Sequence, residues 1–184
     1  MPRVFLALAM TIVSFASLAQ EDVIAALEEG GKVLLIRHAR APGTGDPENF
    51  VIDDCSTQRN LSEEGRRQAA ELGDRLRRNG IEVSEVLSSR WCRALDTARL
   101  AFGDDAVIPF APLDSFFGDR SRRDSQTEAV RERIAAFGGP GTLVMVTHQV
   151  NVTALTDIVP REGEAVVLEP SARGFEVIGR VTFD

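Results

Sequence analysis

The chain has 184 residues, with 28 acidic against 21 basic side chains and a formal net charge of −7. That length fits one domain with a sizeable core, and the acidic balance argues against nucleic acid or an anionic membrane surface as the main partner. It leaves an anionic substrate open, because a local arginine pocket outweighs net charge at short range.

The first residues, Met1-Pro2-Arg3, lead into an apolar run from Val4 to Phe15 and then Ser17-Leu18-Ala19. A basic start, a short apolar stretch and small residues at the minus-three and minus-one positions predict a secretory signal over residues 1–19, cleaved after Ala19. The run is shorter than the roughly 17 to 25 residues that span a bilayer, so the mature chain is expected without a membrane span. Residues 20–184 are expected to form a single periplasmic or secreted domain, with the charge of Arg3 removed. Export also bears on the two cysteines, Cys55 and Cys92, which are expected to form a disulfide. Two buried free thiols are the alternative, and a zinc site built from both cysteines and both histidines lacks the usual close ligand spacing. No metal or other cofactor is expected.

A helix over Asp22 to Glu29 is predicted to stop at Gly30-Gly31, before a strand running from Val33. Residues 39–60 show no period and carry Pro42, Gly43, Gly45 and Pro47, and a loop of that length is functional or disordered. Ser62 caps the next helix, whose stripe of Gly65, Ala69, Leu72 and Leu76 ends at Asn79-Gly80. A strand over Val83 to Leu87 precedes a helix from Arg90 to Ala101, and a short strand over Ala106 to Phe110 precedes a second loop. Ser125 to Phe137 is predicted helical, Val150 to Ile158 forms a short helix, and Val166 to Leu168 and Phe175 to Phe183 complete the chain as strands of an edge hairpin. The pattern implies an α/β fold, a three-layer sandwich with a mostly parallel sheet flanked by helices.

The only histidines, His38 and His148, follow the apolar runs Val33-Leu34-Leu35-Ile36-Arg37 and Leu143-Val144-Met145-Val146-Thr147. Such runs read as buried parallel strands, and ligands of open α/β sheets bind at strand C-terminal ends. Arg37 sits beside one histidine, and Arg93 opens a helix that follows another strand. Guanidiniums, imidazoles and free helix amides converging at one edge call for an anion. Phosphate fits, because its oxygens accept both bidentate arginine contacts and amide donors.

These residues resemble the histidine phosphatase superfamily, branch 1, also described as phosphoglycerate mutase-like. The resemblance rests on Leu35-Ile36-Arg37-His38-Ala39, on Leu61-Ser62-Glu63-Glu64-Gly65-Arg66-Arg67-Gln68-Ala69, on Ser88-Ser89 with Arg93-Ala94 and Thr97-Ala98, and on Val146-Thr147-His148. It implies that His38 is the nucleophile and becomes phosphohistidine, while Arg37, Arg93 and His148 bind the phosphoryl group. Phosphoryl transfer asks mainly for in-line positioning and charge neutralisation, which these side chains supply. Family members usually draw a carboxylic acid from the stretch after the second motif, which points to Asp114 as proton donor, with Asp119 and Glu128 as alternatives. Arg59 adds a further guanidinium for phosphate or a distal acidic group, and a Cys55–Cys92 bridge would tie the long loop to the segment carrying Arg93.

Two positions depart from the common pattern. Arg40 stands where many relatives have glutamate, and Gln149 follows His148 where some acid phosphatases have aspartate. With the predicted signal and the two cysteines, the chain looks most similar to an exported subgroup that includes periplasmic lipopolysaccharide-core heptose phosphatases. The implied activity is hydrolysis of a small-molecule or glycan phosphate ester. A phosphohistidine phosphatase, or a phosphate or sugar-phosphate binding module without turnover, are the alternatives.

Overall fold

The computed structural model describes residues 15–183, so residues 1–14 of the signal predicted over residues 1–19 lie outside the described residues. Helix α1 (Phe15–Glu28) runs through the expected cleavage position rather than starting at Asp22, and is followed by β1 (Val33–Arg37). After the long loop come α2 (Glu63–Arg78), β2 (Val83–Ser88), α3 (Cys92–Phe102) and β3 (Val107–Pro109). Then follow α4 (Arg123–Ala135), β4 (Thr142–Thr147), α5 (Gln149–Thr156), β5 (Ala165–Ser171) and β6 (Gly174–Val181).

The six strands form one sheet in the order β3-β2-β4-β1-β5-β6. β3, β2, β4 and β1 are parallel, and β5 and β6 form an antiparallel hairpin closing one edge. Period-two side-chain alternation splits the central strands between two cores. Leu34, Ile36, Val144 and Val146 pack with Leu27 of α1, Leu72 and Leu76 of α2 and Ala94 and Ala98 of α3. Val33, Leu35, Leu143 and Met145 pack on the other face with Val130 and Ile134 of α4 and Val152 of α5. Helices therefore cover both faces, and the expected three-layer α/β sandwich is the observed one. Among the described residues no helix is long and apolar enough to cross a membrane.

α3 begins two residues later than its sequence pattern predicts. The Arg90 amide donates to Asp114 Oδ1 at 2.9 Å and the Trp91 amide to Ser89 Oγ at 3.2 Å, and Trp91 stays extended as N-cap. These non-helical partners satisfy donors that a helix start would otherwise leave free. The loop over residues 39–60 is ordered by a 3-10 turn at Cys55–Thr57, by Gln58 Nε2 donating to the carbonyls of Val51 and Ile52, and by the Cys55–Cys92 disulfide. Its start is pinned to α2, whose cap is Ser62 accepting from the Gly65 amide at 3.0 Å. A Cβ on Gly65 would stand 2.1 Å from the Arg40 carbonyl oxygen, so only glycine permits this approach.

Candidate active site

Strand register assembles the site. Arg37 pairs with Thr147 across β1 and β4, and Ser88 pairs with Val146 across β2 and β4. The residues that follow these strand ends, His38, His148 and Ser89, therefore leave the sheet at one level. The His38 amide continues the ladder by donating to Thr147 O at 2.9 Å, and the Ser89 amide donates to Val146 O at 2.9 Å. The two imidazole centroids lie 5.4 Å apart, edge to face. Arg37, His38, Arg59, Arg93 and His148 all line one cavity of about 650 Å³, together with Asp46, Phe50, Trp91 and Phe117.

His38 is buried, and its Nδ1 lies 2.8 Å from the carbonyl oxygen of Ala39. A carbonyl only accepts, so Nδ1 carries the proton and Nε2 keeps its lone pair. Burial, then the charge of Arg93, pushes the His38 pKa down to about 3; Arg59 and Arg37 add to this, and the Ala39 carbonyl opposes it. The ring is neutral at physiological pH, the state a nitrogen nucleophile needs. His148 is shifted well below its ordinary value in the same direction, by burial and then by Arg93, His38, Arg59 and Arg37.

Each guanidinium has a carboxylate behind it. Arg93 is held end-on by Asp46, with Nη1 to Oδ1 at 2.7 Å and Nη2 to Oδ2 at 3.0 Å, and Asp46 also accepts from Trp91 Nε1 at 3.0 Å. Burial alone would raise the Asp46 carboxyl, but the hydrogen bond and charge of Arg93 hold it below its usual range. Arg37 donates to Gln149 Oε1 at 2.9 Å and to Pro160 O at 3.0 Å, and lies 3.5 Å from Glu162. Glu162 also faces Arg59 at 3.9 Å, and Arg59 Nε donates to Gly45 O at 2.8 Å. Among the described residues, Arg37 Nε, Arg93 Nε and His148 Nδ1 are buried without a partner. All three belong to side chains of the one cavity, and buried polar atoms without partners are rare and call for an explanation. Acceptor-rich phosphoryl oxygens supply one.

Asp114, expected as proton donor, lies behind the cavity wall rather than on it. It is fully buried, with Oδ2 accepting from Arg90 Nε at 2.9 Å and Oδ1 facing Ser89 Oγ at 3.3 Å. Asp119 does line the cavity, but its Oδ1 is taken by the amide and hydroxyl of Ser121, which hold its carboxyl low. Glu128 is on α4, paired loosely with Arg131 at 3.9 Å and away from the cavity. Cys55 and Cys92 are bonded to each other, so a set of two cysteines and two histidines is not available to zinc. Asp46, Glu162, Ser89 and Trp91 received no role from the sequence. The signal that reaches Asp46 and Glu162 is charge balance, because converging buried guanidiniums need resident carboxylates as well as a ligand.

Fold and site together define an α/β sandwich whose strand C-terminal edge carries an anion pocket of His38, His148, Arg37, Arg59 and Arg93. Residues 33–113 match the family described as histidine phosphatase superfamily (branch 1), a segment that contains Arg37, His38, Arg59 and Arg93. Among solved structures, YhfR of Bacillus stearothermophilus is 17% identical, with a TM-score of 0.63 over 80% of this chain and 95% of its own. A mycobacterial glucosyl-3-phosphoglycerate phosphatase in complex with inorganic phosphate is 16% identical, with a TM-score of 0.58 over 84% of this chain and 98% of its own. The protein histidine phosphatase SixA complexed with tungstate is 14% identical, with a TM-score of 0.58 over 83% and 97% respectively. At these identities the likeness is one of fold. No curated protein matches the chain.

Proposed function

We propose that the protein is an exported phosphatase that hydrolyses a phosphomonoester through a phosphohistidine on His38. The observation that carries this reading is the neutral His38 with a free Nε2, set among three buried donors without partners on Arg37, Arg93 and His148. In the first step Nε2 attacks phosphorus, the ester P–O bond breaks, and the leaving oxygen takes a proton. In the second, water attacks the phosphohistidine, the P–N bond breaks, and inorganic phosphate leaves. Arg37 and Arg93 neutralise the charge on the non-bridging oxygens in both steps.

The cavity is far larger than a phosphate, and Phe50, Trp91 and Phe117 line it, which supports a sizeable organic leaving group such as a sugar. Export is supported by the signal-like residues 1–19 and by the Cys55–Cys92 bridge. A phosphorylated heptose of lipopolysaccharide core is the specific substrate we infer from the sequence resemblance.

The test is turnover of sugar phosphates, lipopolysaccharide core fragments, phosphohistidine peptides and an aryl phosphate, in chelator, by the wild-type protein and His38→Ala. Acid-labile, base-stable labelling of the wild type and its loss in His38→Ala are expected. Activity persisting in His38→Ala would remove His38 as nucleophile, and preference for the phosphohistidine peptide would replace the ester reading.

A further inference from the structure

Asp114 is the buried carboxylate that phosphate binding leaves unused, and one hydroxyl separates it from the site. Ser89 Oγ lies 2.8 Å from Nε2 of His148 and 3.3 Å from Oδ1 of Asp114, and accepts the Trp91 amide at 3.2 Å. Ser89 has a single proton to give. When it donates to Nε2, His148 is neutral, with its hydrogen on the partnerless Nδ1. When His148 is an imidazolium, Nε2–H donates to Ser89 and the Ser89 hydroxyl turns to Asp114. The acceptor is held ready for this, because Arg90 fixes Asp114 Oδ2 through Nε and Nη2, and Asn151 and Gln126 donate to the Asp114 carbonyl at 2.9 and 2.8 Å.

Resting on the phosphatase reading, we propose that Ser89 and Asp114 form a two-position relay that lets His148 give and take the proton of the reaction. His148 is then the proton donor, and Asp114 is a positioning residue acting through Ser89. As His38 Nε2 bonds to phosphorus and the P–O bond breaks, the leaving oxygen takes the proton from Nδ1 of imidazolium His148, and the alcohol departs. His148 is left neutral, with Nε2–H on Ser89 and the Ser89 hydroxyl on Asp114. Nδ1 then accepts a proton from the attacking water as the P–N bond breaks, which restores the imidazolium. The proton first enters with the substrate, as a phosphomonoester monoanion, whose second ionisation lies near pH 6.

The surroundings of His148 explain why a relay is needed. Burial, and then Arg93, His38, Arg59 and Arg37, disfavour a charge on the ring, and Trp91 covers it edge-on at 5.6 Å between centroids. A bound phosphoryl dianion offsets the guanidiniums, and Asp114 offsets the imidazolium through Ser89. The carboxylates on the cavity wall are poorly suited to the task. Asp46 is clamped by Arg93, Asp119 caps a turn, and Glu48 is exposed on the loop.

The test compares an alkyl phosphate, whose leaving group needs a proton, with nitrophenyl phosphate, whose leaving group needs one less. Ser89→Ala and Asp114→Asn are expected to lower kcat about 100-fold on the alkyl ester, at the low end for a general acid, and about tenfold on the aryl ester. Ser89→Thr, which keeps the hydroxyl, is expected to recover most of the loss. In parallel, nitrogen-15 spectra of the His148 ring are recorded with inorganic phosphate as probe. Both ring nitrogens are expected to carry protons in the wild type and only one in Asp114→Asn. Equal losses on the two esters, or a His148 that stays neutral with phosphate bound, would overturn the relay. An enzyme that turns over neither ester overturns the phosphatase reading, and the spectra still decide the relay.

Discussion

Arg37 and Thr147 are register partners on adjacent parallel strands, and this single pairing puts His38 and His148 side by side. Because β1 and β4 are both fully covered by helices, a one-residue slip would turn Leu34 and Val144 to the wrong core. The core therefore enforces the histidine geometry. Catalytic placement and hydrophobic patterning are two readings of the same register.

Burial of His38 makes stability depend on pH in a definite direction. Its pKa in the folded protein is about 3, below the ordinary 6.5, so the unfolded chain binds more protons between these values. The contribution is complete above pH 6.5 and is lost as pH falls toward 3, and His148 acts in the same sense. Thermal melts are expected to show a lower Tm at pH 5 than at pH 7, with a smaller difference in His38→Gln. An identical pH response in the two proteins would show that His38 is not the titrating group.

Asp46 holds a guanidinium that is nearly inaccessible, with side-chain exposures of 3% for Arg93 and 9% for Asp46. Asp46→Ala leaves the Arg93 charge buried and without its partner, which costs about 3 kcal/mol. Urea unfolding should show that loss, and KM for an aryl phosphate should rise because Arg93 is no longer aimed. The alternative outcome is tighter phosphate binding with unchanged stability, which would identify Asp46 as a competitor for the anion site rather than its support.

The sequence made the strand-end residues legible because buried parallel strands are short apolar runs with abrupt ends, and Arg37, His38, Ser88 and Thr147 sit at those ends. The loop partners were not legible. Asp46 lies in Gly43-Thr44-Gly45-Asp46-Pro47, where glycines and proline erase any period, and its contact with Arg93 spans 47 residues. Asp114 was found by its position after the second motif, but its direction was set by Arg90, whose side chain reads in sequence as part of a helix. The start of α3 shifted for the same reason, since the Asp114 and Ser89 side chains compete for the amides of residues 90 and 91.

Gly65 couples α2 to the cavity loop. Gly65→Ala would push a Cβ against the Arg40 carbonyl, which also accepts the Ser62 amide at 3.0 Å. Overpacking of this kind costs about 1–3 kcal/mol. Since Ala39 and Arg40 directly follow His38, a loss of activity larger than the loss of stability predicts is expected. Parallel measurement of kcat/KM and Tm checks it, and a stable, fully active Gly65→Ala protein would contradict it.

The disulfide links Cys55 in the cavity loop to Cys92, the residue before Arg93, across 37 positions. Closing a loop of that length in the unfolded chain is worth roughly 4 kcal/mol by chain entropy. Its removal should also loosen the loop, because near Cys55 the tie left to α3 is Gln58, three residues away, which accepts the Cys92 amide at 3.0 Å, while Asp46 holds Trp91 and Arg93 from the far end of the loop. The double variant Cys55→Ser, Cys92→Ser is therefore expected to unfold at lower urea concentration and to bind phosphate more weakly, as Asp46 and Arg59 lose their fixed backbone. Adding Gln58→Ala to that variant should weaken phosphate binding further, whereas in the bridged protein the same substitution should have a smaller effect. Equal effects of Gln58→Ala in the two backgrounds would mean that the bridge stabilises the fold without shaping the site.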